Sequence, residues 1–79
     1  MNIPDMNKKT RSDIKKIKIR LQLIRDELNV IKDKEEDKFD NLSEGLQATM
    51  RGQDMEEAID SLGEIIDNLD EALANLDLV

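Results

Sequence analysis

Met55, Ile59, Leu62, Ile66, Leu69, Leu73 and Leu76 follow one another at alternating spacings of four and three residues, which places them on one stripe of a single helix. Ile14, Ile17, Leu21, Ile24, Leu28 and Ile31 repeat the pattern in the first half of the chain, at spacings of three and four. The protein is therefore expected to be two amphipathic helices with a hinge between them. Pro4 and the isolated Ile3 and Met6 mark residues 1–9 as a flexible arm, and Thr10 or Ser12 is the expected cap of a helix over 10–39. A structured corner is predicted over 40–53, with Ser43 capping a short helical piece and Gly52 ending it in a left-handed conformation. Asp54 followed by Glu57 then predicts a second helix over 54–78.

A chain of 79 residues with no cysteine has no disulfide to support a small core. Ala58, Ile65, Ala72 and Val79 broaden the second stripe beyond a narrow two-helix seam. Ile19, Leu23 and Val30 form a further strip on the first helix. The expected fold class is all-α, an antiparallel helical hairpin assembling into an oligomeric helical bundle, as a dimer or larger. Its oligomer interface is expected at Ile19, Leu23, Val30, Met55, Ile59, Leu62, Ile65, Ile66, Leu69, Leu73 and Leu76.

Net charge is −7, but it is unevenly distributed. Lys8, Lys9, Arg11, Lys15, Lys16, Lys18, Arg20 and Arg25 face only Asp13 among the acidic residues of the 8–25 stretch, whereas 53–79 holds acidic residues and no basic one. Each block opposes the dipole of its own helix. Antiparallel folding sets the basic start of the first helix beside the acidic end of the second and converts two local conflicts into one attraction.

The residue inventory bounds the chemistry. Histidine and cysteine are absent, which removes the commonest metal ligands and general base, and the single aromatic, Phe39, offers no stacking platform for bases. The acidic residues fall at helical spacing instead of in a calcium loop. Neither enzymatic activity, a metal nor a cofactor is expected. No signal-peptide core is present, and no apolar run approaches the roughly 18 residues of a membrane span, so a cytoplasmic protein without membrane contact is expected. No groove-reading motif accompanies the basic stretch, and direct DNA binding is not expected.

Arg51 is the most suggestive single residue. It is the only basic residue after Lys38 and precedes Gly52 near the start of the second helix, where free amides favour an anion. Arg51 with Lys15, Lys18 and Arg20 forms the candidate ligand-binding set, for an anionic, nucleotide-like small molecule or a partner's carboxylate. The opposing reading has Arg51 pairing with Asp37, Asp40 or Asp54 and pinning the corner.

The stretches Asn41-Leu42-Ser43-Glu44-Gly45-Leu46-Gln47 and Arg51-Gly52-Gln53-Asp54-Met55-Glu56-Glu57-Ala58-Ile59-Asp60 resemble small coiled-coil proteins of Gram-positive bacteria and their phages. In these a basic helix leads through such a corner into an acidic one. The resemblance implies no activity and carries over no catalytic residue. It favours a small non-enzymatic binding protein: a phage-type inhibitor or sponge that sequesters a host protein or an anionic ligand in host takeover or counter-defence. A coiled-coil assembly adaptor or morphogenesis chaperone, and an acidic mimic of nucleic acid, are the alternative functions.

Overall fold

The computed structural model describes residues 8–79 as three helices, α1 (Lys8–Asp40), α2 (Glu44–Gln47) and α3 (Met50–Leu76), with no strand among the described residues. Long α1 and α3 lie side by side, while α2 packs on α3 at the turn. Lys8 and Lys9 are helical, and the rest of the expected arm, 1–7, lies outside the described residues. No helix is long and apolar enough to cross a membrane.

The helices form where local chemistry supports them. α1 is a run of good helix formers reinforced by Lys9–Asp13 and Lys32–Glu36 bridges at four-residue spacing, both 2.8 Å or shorter. Thr49, not Asp54, caps α3: its hydroxyl accepts from the Gly52 amide at 3.2 Å, and α3 begins four residues earlier than the capping pattern at Asp54 predicts. Both threonine and aspartate suit a cap, and the packing of α2 selects the earlier one.

The α3 stripe faces α1 as its spacing predicts. Ile66 and Leu73 are its most buried side chains, and Met55, Ile59, Leu62, Leu69 and Leu76 are half-buried. These seven residues, expected at an oligomer interface, thus lie in the contact between the two helices of one chain.

The α1 seam differs from expectation. Ile14, Leu21 and Leu28 are half-buried, but their companions are Lys18, Arg25 and Lys32, while Ile17, Ile24 and Ile31 are about half exposed. The helix is turned so that the aliphatic stems of the basic residues lie along the groove, with the charges of Lys18 and Arg25 reaching α3 and that of Lys32 held by Glu36 on α1 itself. Arg25 Nε and Nη2 grip the two Asp70 oxygens at 2.7 and 3.1 Å, and Lys18 pairs with Asp77. The Arg25 hydrogen bond raises the guanidinium above its usual pKa and lowers Asp70 below the usual carboxylate range. Of the candidate ligand residues Lys15, Lys18 and Arg20, Lys18 is the one that pairs with the acidic helix among the described residues, and Arg25 is its companion.

Candidate functional site

The corner is built from side chains that close off backbone groups. Ser43 caps α2 by accepting from the Leu46 amide at 3.3 Å. Gln47 Nε2 donates to the carbonyls of Phe39 at 3.0 Å and Leu42 at 3.2 Å, tying α2 to the end of α1. The Thr49 hydroxyl donates to the Leu46 carbonyl at 2.5 Å while it caps α3.

Gly52 completes the joint for a reason unlike the predicted one. No described glycine has positive φ, so Gly52 is not a left-handed terminator; it is buried in the first turn of α3. A Cβ there would meet the carbonyl oxygens of Gln47 and Leu46. Absence of a side chain is what lets α2 rest on α3.

This packing leaves a pocket of about 360 Å³ lined by Lys38, Leu42, Leu46, Thr49, Arg51, Gly52 and Met55. Leu42, Leu46 and Met55 supply the apolar part, and Lys38 and Arg51 supply two cations. Lys38 has only an exposed bridge to Glu35 at 3.4 Å. Arg51 is exposed and has no ion pair among the described residues, so the predicted pairing with Asp37, Asp40 or Asp54 is not made. Its position is electrostatically unfavourable for the helix, since the first turn of α3 carries no acidic residue and the helix dipole is already positive there. Helix start, guanidinium and ammonium together favour an anion with an apolar portion.

The other predicted ligand residues lie elsewhere. Lys15 and Lys18 line an open groove of about 440 Å³ with Arg11, Ser12, Ile14, Leu76, Asp77 and Val79, at the end of the hairpin away from the corner. The rise along α1 from Lys18 to Lys38 is on the order of 30 Å. Lys18 is engaged by Asp77, and Arg20 is exposed outside both pockets. Sequence reasoning missed Lys38 and Gln47 at the corner. Lys38 reads locally as the charged end of a fading seam, and only the reversal of the chain brings it near Arg51.

The pocket offers binding groups but no assembled proton-transfer or nucleophilic pair. Ser43 and Thr49 hydroxyls are spent on caps. Among the described residues no cluster of three or more acidic, histidine or cysteine side chains is arranged for a metal ion. No known protein family matches the chain, and no curated protein or solved structure is found similar to it.

Proposed function

We propose that this chain is a non-enzymatic, homo-oligomeric binding protein of the bacterial cytoplasm that captures an anionic group at its corner, as a phage-type inhibitor or sponge. The observation supporting this reading is Arg51: a cation without an ion-pair partner among the described residues, at a helix start, beside Lys38 and an apolar floor. Natural chains depart from local electrostatic consistency chiefly where function requires it. A nucleotide-like molecule fits by phosphate on Arg51 and Lys38 with its base against Leu42, Leu46 and Met55. An acidic host side chain beside a hydrophobic one presents the same chemistry.

Arg51→Ala tests the reading. Titration calorimetry with a panel of mono- and dinucleotides should show micromolar binding to the natural chain and at least tenfold weaker binding to the variant, with melting unchanged. Loss of melting temperature with unchanged binding would make Arg51 a structural residue and sink the proposal.

Ile19, Leu23 and Val30, exposed on α1, favour the assembly-adaptor reading as the second choice. Leu23 and Ile19 border a groove with Gln22, Arg25, Asp26, Asp70 and Leu73, where a helix of a larger coiled coil has room to lie. The mimicry reading is weakened because Arg25 and Lys18 already occupy Asp70 and Asp77.

A further inference from the structure

The two open faces of the hairpin differ in chemistry. One carries the Lys18–Asp77 and Arg25–Asp70 pairs. On α1, Ile17, Ile24 and Ile31 each precede one of the basic residues Lys18, Arg25 and Lys32, and so flank Leu21 and Leu28 from the opposite side. On α3, Ala58, Ile65 and Ala72 stand opposite Gly63 and Asp70 in the same manner. Because the helices run antiparallel, these six residues share the second face. The register of the ion pairs sets Ile24 within one residue of the level of Ala72 and Ile31 within one residue of the level of Ile65, which makes the patch continuous across both helices. Ile17 and Ile24 are each 47% exposed, Ile31 53% and Ile65 45%.

We infer that this face is covered by a second copy of the chain, related by a two-fold axis passing between Ile24 and Ala72, with each α1 lying antiparallel on its counterpart. The inference rests on the homo-oligomeric part of the proposed function and is independent of what the corner binds. Charge complementarity selects the occupant. The border of the face along α1 is formed at seven-residue intervals by Asp13, Arg20, Glu27 and Lys34, all exposed. Read against itself in reverse, that series is complementary throughout: Arg20 meets Glu27 of the second copy, and Asp13 meets its Lys34. The same register stacks Ile24 on Ile24 and Ile17 on Ile31.

Arg20, Glu27 and Lys34 have no ion pair within the described chain, and Asp13 has only its exposed bridge to Lys9. Seating α1 on α3 of the second copy creates no such pairs, since the matching border of α3 is uncharged at Ser61, Asn68 and Asn75 and its charged member, Asp54, lies at the corner past the end of the α1 series. The same axis brings Ala72 to Ala72, small residues that allow close approach of the α3 helices. The face measures about 30 by 20 Å, on the order of 600 Å² per copy, which reaches the lower edge of the range for stable dimers. Of the acidic residues of α3, Asp60, Asp67 and Asp70 lie toward the other side of the helix, and Glu57, Glu64 and Glu71 lie beyond the Ser61, Asn68 and Asn75 border.

Sedimentation equilibrium of the natural chain and four variants, with helicity followed by circular dichroism, decides the matter together with the oxidation of a fifth variant. The natural chain should be a dimer at micromolar concentration. Arg20→Glu should raise the dimer dissociation constant about tenfold in low salt by opposing Glu27 at two symmetric places, and adding Glu27→Arg in the same chain should restore it. Ile24→Asp should give helical monomers, whereas Leu23→Asp should remain dimeric. In this cysteine-free chain, Ile24→Cys should form a disulfide with its counterpart across the axis under mild oxidation. A monomeric natural chain would overturn both the oligomer reading and this interface. A dimer that survives Ile24→Asp, dissociates on Leu23→Asp, or is not restored by the double charge swap would overturn the interface alone.

Discussion

Gly52 and Gly63 show how one residue type serves opposite ends within one helix. Alanine in a helix interior ordinarily stabilises over glycine by about 1 kcal/mol. At Gly63 the added carbon meets only the flexible Lys32 Cε, at 3.4 Å, so Gly63→Ala should raise stability by about 0.5–1 kcal/mol. At Gly52 it meets backbone carbonyl oxygens of Gln47 and Leu46, which cannot yield without moving α2. Gly52→Ala should therefore destabilise by about 1–3 kcal/mol, as overpacked sites do. Urea denaturation of the two variants gives both signs in one experiment. Equal effects would mean that α2 does not rest on α3 as described.

Between elements, charge acts together with apolar burial in setting how α1 lies on α3. α1 starts without acidic residues and α3 ends without basic ones, so both helices oppose their own dipoles until Lys18 and Arg25 reach Asp77 and Asp70. Asp70 is held below the ordinary carboxylate range by its hydrogen bonds from Arg25. Its folded form therefore binds a proton less readily than its unfolded form. The resulting stabilisation is complete above the ordinary carboxylate range and is lost as pH falls through that range to the depressed value. Thermal melts across pH 2–7 should show the natural chain losing more stability on acidification than Asp70→Asn, and a parallel decline would mean that the Arg25 contact contributes nothing.

For the whole molecule, the size of the core is decisive. Among the described residues Ile66 and Leu73 are the buried hydrophobic ones, and the remaining stripe residues are half covered, which is little for a helical hairpin of this length. The proposed second copy on the Ile17, Ile24, Ile31 and Ile65 face would extend that core toward a four-helix bundle. Folding and association are then one equilibrium, and the melting temperature should rise by about 3–6 °C for each tenfold increase in chain concentration. Differential scanning fluorimetry with an external dye over three decades of concentration checks this. A melting temperature independent of concentration would show that one hairpin is sufficient.

Helical class, the α3 stripe and the existence of a corner followed from the sequence, because the 3.6-residue period and capping chemistry act within a few neighbouring residues. The place of Arg51 near a helix start was also legible, but not that it makes no ion pair with Asp37, Asp40 or Asp54. What required the tertiary structure was the rotation of α1: Ile17, Ile24 and Ile31 are more apolar than Lys18, Arg25 and Lys32, yet the basic residues line the contact, because the carboxylate partners of Arg25 and Lys18 come from residues 45 and 59 positions away. The start of α3 at Thr49, the role of Gly52 and the meeting of Lys38 with Arg51 have the same origin. Each depends on which groups the turn brings together, and local periodicity carries no record of that.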